Sequence, residues 1–151
     1  MRWPEGFAWG AGASSTQCEG AAPASDWWDW ERAGRAPFSG DGNGFATRYA
    51  EDFALLADLG LTRHRLSVEW ARLEPEPGQH DPAAIEHYGE VLTAARAVGV
   101  TPEVCLHHFT LPGGSPTPAA SWWRRTAPGP GPATSTGWPR PSATSSGAGS
   151  R

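Results

Sequence analysis

The chain has 151 residues, a formal net charge of -4 and no lysine, all twelve basic residues being arginine. A small acidic excess argues against a nucleic-acid partner, and no apolar run approaches the roughly 20 residues that span a bilayer, so no membrane partner is expected. The opening MRWPEGFAWG lacks the charged and apolar regions of a secretory signal, and Cys18 and Cys105 are too few and too far apart for a disulfide framework or a zinc motif. Reduced thiols in a cytoplasmic protein, with no metal and no cofactor, are the expectation.

In chain order, Phe7 to Gln17 opens with small and aromatic residues and reads as a buried strand leading into a polar loop. The loop from Glu19 to Asn43 carries Trp27, Trp28 and Trp30, and a loop of that length calls for a functional reason. Asn43 is placed to cap a helix running to Leu59. Phe45, Tyr49, Phe53, Leu56 and Leu59 recur there at helical spacing, and Gly60 supplies the stop. A second strand is expected over His64 to Trp70, with Leu66, Val68 and Trp70 on one side. Pro75, Pro77 and Gly78 mark a turn. Asp81 then suits an N-cap and Pro82 the first helical position, where a missing N–H costs nothing. Ile85, Tyr88, Leu92 and Ala95 form the apolar stripe of this helix, Gly99 ends it, and Val100 to His107 reads as a third strand.

Strands alternating with helices define an α/β fold with a parallel sheet. The first loop has no GxGxxG cradle, which weakens a dinucleotide-binding reading. Polar residues cluster after each expected strand, which favours a barrel with its site at the C-terminal strand ends. The first end offers Gln17 and Glu19, the second Arg65, Glu69 and Arg72, the third His107 and His108. Such amides, imidazoles and guanidinium groups, beside aromatic faces, suit sugar hydroxyls and the C–H side of a sugar ring. Adjacent histidines on a strand point to opposite faces, so His107 and His108 do not form a metal pair. A Ser67-His108-Asp52 triad can be drawn on paper, but it has no nucleophile elbow.

Beyond Leu111-Pro112 the composition changes. The 39 residues from Gly113 to Arg151 contain no Asp, Glu, Leu, Ile, Val or Met, and 26 of them are Gly, Pro, Ser or Thr. Residues 1–112 carry net -8 and the tail +4. The division expected is therefore 1–112 as the folded part and 113–151 as a low-complexity tail, disordered or frameshifted, with Trp122, Trp123 and Trp138 exposed.

Several segments together resemble the N-terminal part of family 1 glycoside hydrolases, the β-glucosidase and β-galactosidase group built on a (β/α)8 TIM barrel. They are Pro4 to Ala13, Gln17-Cys-Glu-Gly20, Trp28-Asp29, Tyr49-Ala-Glu-Asp52, Leu59-Gly60, Arg65-Leu-Ser-Val-Glu-Trp70 with Arg72, and His107-His-Phe-Thr-Leu-Pro112. The resemblance implies about three of eight barrel strands and a retaining β-glycosidase as the parent activity. It implies a substrate-binding set of Gln17, His108, Phe109, Arg65 and Glu69. Gln17 and His108 match sugar-binding residues, and Phe109 stands where a tryptophan is common. Arg65 matches the arginine beside the nucleophile carboxylate, and Glu69 stands where many members carry a small residue.

Retaining hydrolysis needs two carboxyl groups about 5–5.5 Å apart, one as nucleophile and one as acid. The family carries them in Asn-Glu-Pro and Glu-Asn-Gly motifs, and neither occurs here. No catalytic residue is therefore assigned, and nothing in the sequence supports Glu19 and Glu69 as a substitute pair. The expectation is an inactive partial barrel whose partner is a small glycoside or oligosaccharide. The alternatives are a non-catalytic carbohydrate-binding or scaffold fragment and a small enzyme of another class. Oligomeric state and sugar preference are not legible. One choice of codons for Gly113 to Trp123, read two bases on, yields Trp-Phe-Ala-Asp and Gly-Gly-Phe-Leu, a pattern like the one members carry after Leu-Pro. The coding DNA decides between a shifted frame and a natural tail.

Overall fold

The computed structural model describes residues 2–113. The low-complexity tail, its three tryptophans and the frameshift reading lie outside the described residues, apart from Gly113. Strand β1 spans Gly10–Gly12, β2 Arg63–Ser67 and β3 Thr101–Cys105. They pair in the order β1-β2-β3, parallel throughout, with Gly10 opposite Arg63 and Arg63 opposite Thr101. Helix α3, Phe45–Asp58, connects β1 to β2, and α5, Pro82–Ala97, connects β2 to β3. This is part of an α/β barrel, as expected.

Alternation sets the layers. On β2, His64 and Leu66 are buried, whereas Arg63 and Arg65 project from the other face. The core joins Leu66 to Phe45 and Phe53 of α3, Val91 and Ala95 of α5, and Val100 ahead of β3. Helix α5 begins as its sequence dictates: Asp81 Oδ1 accepts from the Ala83 and Ala84 amides and Pro82 follows at the first position. Asn43 serves α3 from one residue outside the cap, accepting the Phe45 amide at 3.2 Å, while Gly44 takes the cap itself with φ +83°.

Four expectations are corrected. The first strand is shorter than Phe7 to Gln17, because the Ala13 amide turns to the Arg65 carbonyl and a short helix α1, Ser15–Cys18, follows. The tryptophan-bearing loop contains helix α2, Asp26–Arg32, capped by Ser25, and crosses itself where Ala21 donates to Gly40 and Asn43 to Cys18. A Cβ at Gly20 would stand 2.2 Å from the Gly40 carbonyl oxygen, so the crossing requires glycine there. The second strand stops at Ser67, since Glu69 caps the short helix α4, Trp70–Leu73, and turns Trp70 outward. Leu59 and Ile85, expected in apolar stripes, are 66% and 51% exposed.

His64 is buried between Phe45 and Phe53, its ring centre 5.9 and 5.4 Å from theirs, and neither ring nitrogen has a hydrogen-bond partner. Burial pushes its pKa below the ordinary 6.5, with Asp52 opposing the shift.

Two outcomes follow from this core. Phe53→Ala should lower the free energy of unfolding by about 3–5 kcal/mol in urea melts; a loss under about 1 kcal/mol would show that the helices do not pack on Phe53. Because the unfolded chain binds a proton to His64 more readily than the folded one, its contribution is fully present above about pH 6.5 and declines as pH falls towards the folded pKa. Replacing His64 with Leu should flatten that part of the stability-pH curve, and an unchanged slope would contradict the assignment.

Candidate functional site

All three strands end on one side, and there the chain builds an open cleft of about 430 Å³. Its lining includes Gln17 after β1, His108 and Phe109 after β3, and Trp27, Pro37 and Ser39 from the loop carrying α2. Three of the five residues expected to bind substrate thus share one cavity. Arg65 and Glu69 are not on its wall and stand behind it.

The polar groups of the cleft are oriented from behind. The Ser14 hydroxyl donates to Gln17 Oε1 at 2.7 Å, which leaves the Gln17 amide protons for a ligand. Arg65 Nη2 lies 2.8 Å from His108 Nδ1, and its Nη1 donates to the Ala13 carbonyl. A guanidinium has only donors, so Nδ1 accepts and the proton of a neutral imidazole sits on Nε2. Burial holds the His108 pKa below 6.5, helped by the charges of Arg65 and His107 and opposed by Glu69. Gln17 and His108 therefore both present N–H donors, matched to hydroxyl oxygens. Phe109 adopts φ +67°, is 78% exposed as a residue, and sets its ring edge-on to His108. A left-handed conformation in an aromatic residue costs on the order of 1–3 kcal/mol and persists only where its neighbours hold it. Trp27 stacks parallel on Trp30 at 6.2 Å, and Arg35 lies over the Trp30 ring.

Two buried carboxylates underlie the strand ends. Glu69 is 1% exposed. It accepts the hydroxyls of Ser15 at 2.8 Å, Thr16 at 3.2 Å and Thr110 at 2.8 and 2.9 Å, together with the Ala71 amide. Glu19 accepts the Tyr88 hydroxyl at 2.7 Å, and Tyr88 in turn accepts the Glu69 amide. Arg72 donates to the Gly20 and Ala21 carbonyls; its Nε stands 3.6 Å from Glu19 Oε2, an ion pair too long to be a hydrogen bond. Burial raises the Glu19 pKa, against the Tyr88 hydrogen bond and the Arg72 charge, while Glu69 adds to the rise. Burial beside Glu19 also raises the Tyr88 pKa. Neither glutamate reaches the cleft wall, and no residue lining it is a carboxylate.

No Ser-His-Asp triad is assembled. Ser67 exchanges hydrogen bonds with Ser15, and His108 Nδ1 is taken by Arg65. Among the described residues no group of three His, Cys, Asp or Glu could hold a metal ion, and no helix is long and apolar enough to cross a membrane. The aromatic loop Trp27 to Trp30, expected to serve a non-catalytic carbohydrate-binding fragment, does supply Trp27 to the cleft; sequence reasoning missed Pro37 and Ser39 as cleft residues, Ser15 and Thr110 as ligands of Glu69, and the polar role of Tyr88. The run of hydroxyls at Ser14-Ser15-Thr16 was the available signal for the second group.

Parallel strands alternating with helices, with polar side chains gathered at the C-terminal strand ends, define part of a (β/α)8 barrel. The chain belongs to glycosyl hydrolase family 1, whose sequence profile matches residues 1–123. It is 36% identical over 118 residues to beta-glucosidase 11 of Arabidopsis thaliana, covering 73% of this chain and 23% of that protein. With the 6-phospho-beta-glucosidase GmuD of Bacillus subtilis it shares 35% identity over 122 residues, covering 74% and 26%. Among solved structures, beta-glycosidase BGL167 superposes with a TM-score of 0.69 at 47% identity, covering 73% of this chain and 27% of that one. The beta-glycosidase from Pyrococcus horikoshii gives 0.67 at 37% identity, covering 73% and 26%. The chain spans about a quarter of the length of the curated relatives it matches.

Nitrogen-15 NMR of the imidazoles checks the tautomer. His108 should appear as the Nε2–H form at neutral pH, and Arg65→Met should raise its titration midpoint and admit the Nδ1–H form. A wild-type His108 protonated mainly on Nδ1 would contradict the arrangement.

Proposed function

We propose that residues 2–113 form the sugar-recognition wall of a retaining β-glycosidase of the β-glucosidase type, and that the 151-residue chain binds a glycoside without hydrolysing it. One observation carries the reading: Gln17 and His108 present oriented N–H donors into one cleft that also holds the aromatic faces of Trp27 and Phe109. That pairing of donors with ring faces is the chemistry a pyranoside requires. The relatives named beta-glucosidase supply the substrate class. The carboxylates support the reading that the chain does not turn a glycoside over. All 16 acidic residues precede residue 113, the cleft wall has none, and Glu19 and Glu69 are committed beneath it. Cys18 and Cys105 are free thiols, which accords with the cytoplasmic residence included in this proposal.

The purified chain, titrated with methyl β-D-glucopyranoside, should show saturable NMR shifts at the Gln17 side-chain amide and at His108. Affinity should be millimolar or weaker, on the order of 4 kcal/mol at 1 mM. Gln17→Ala should weaken it by roughly five- to tenfold, the worth of one or two hydrogen bonds. An aryl β-glucoside should remain uncleaved. Shifts confined to residues outside the cleft would overturn the site, and sustained turnover by the chain would overturn the non-catalytic assignment.

A further inference from the structure

The geometry assigns Glu69 as the positioning residue that locks Gln17 and His108 into one recognition surface. This rests on the proposed sugar site, though the lock itself can be tested without sugar. Glu69 lies just past β2 and caps α4, so its backbone belongs to the middle strand's end. Its carboxylate takes Ser15 and Thr16 from the end of β1 and Thr110 from the end of β3. Those donors flank the cleft residues: Thr16 directly precedes Gln17, and Thr110 follows Phe109, whose left-handed backbone needs an anchor. One buried group thus bridges three strand ends, beneath the tie that Arg65 makes from the Ala13 carbonyl to His108.

The chemistry fits a clamp better than a reactive acid. Thr110 reaches both carboxylate oxygens, Ser15 and Thr16 share Oε2, and Ala71 completes Oε1. Bonds from hydroxyls to a carboxylate are stronger than bonds between neutral groups, and losing the shared acceptor leaves all of its buried donors unsatisfied at once. The cluster is reinforced from β2, where Ser67 Oγ accepts the Ser15 amide at 2.8 Å. A smaller residue at position 69 would leave three hydroxyls without their shared acceptor and would loosen the loops holding Gln17 and His108.

Amide hydrogen exchange on the full 151-residue chain tests this. Leu111, which donates to Asp26, reports on the β3 end. Cys18, which donates to Ser14, reports on the β1 end. Thr110→Val should speed exchange at Leu111 roughly tenfold or more, the effect of losing a hydrogen bond to a charged group, and should leave Cys18 nearly unchanged. Glu69→Ala should speed both together, and Glu69→Gln, which retains one acceptor oxygen, should restore part of the protection. Asp81→Ala, which removes the α5 cap, is the control: it should lower the melting temperature and leave both reporters in place. In the glucoside titration, Glu69→Gln should weaken binding several-fold with little change in melting temperature. If Thr110→Val and Glu69→Gln leave both reporters at wild-type rates, or if Asp81→Ala moves them equally, the lock is refuted. If the reporters respond as stated and no variant, wild type included, binds glucoside, the lock stands and the sugar reading fails.

Discussion

A carboxylate removed from water must be satisfied by its surroundings, and Glu69 meets that demand by gathering hydroxyls from two neighbouring strand ends. The parallel ladder fixes where the strands run. It does not fix the loops beyond it, because pairing of β1 with β2 ends at Gly12 opposite Arg65 and of β2 with β3 at Ser67 opposite Cys105. The residues that line the cleft lie past those limits. The placement of Gln17, His108 and Phe109 relative to one another therefore depends on polar contacts beneath them more than on the sheet.

The electrostatics of the site follow the same division of labour. Arg65 projects from the sheet face opposite His64 and Leu66, and it holds His108 from behind. The two arginines of the site serve different ends: Arg65 fixes a proton on an imidazole, and Arg72 stitches the Gly20-Ala21 backbone over Glu19. The exposed Arg63–Glu103 pair on that face sits in water and contributes about 0–1 kcal/mol at most. Buried groups, rather than surface pairs, carry the organisation.

Local rules were legible in the sequence. Asp81-Pro82 announced the start of α5, Gly60 the end of α3 and Gly99 the end of α5, and hydrophobic spacing placed Phe45, Phe53, Tyr88 and Ala95 inward, as found. The parallel α/β order was legible because helices alternate with strands. Events that depend on distant partners were not. The alternation through Val68 and Trp70 continued past the true strand end, since nothing local shows that Glu69 will cap a helix. Tyr88 counted as apolar because its ring is, while its hydroxyl bridges Glu19 and Glu69 across more than sixty residues of chain. Leu59 and Ile85 obey helical spacing yet stay exposed, Leu59 standing at the C-cap just past the end of α3. Of the candidate site, Gln17, His108 and Phe109 were legible through family motifs, whereas Glu69 was named without its role.

The central claim is that one cleft at the strand ends receives a pyranoside through Gln17 and His108. A co-crystal structure of the chain with a monosaccharide glycoside tests it most directly. The account predicts ring hydroxyls within about 2.7–3.2 Å of the Gln17 amide nitrogen and of His108 Nε2, with the ring against Trp27 or Phe109. A sugar bound elsewhere, or a chain in which Gln17 and His108 no longer face one cavity, would contradict it.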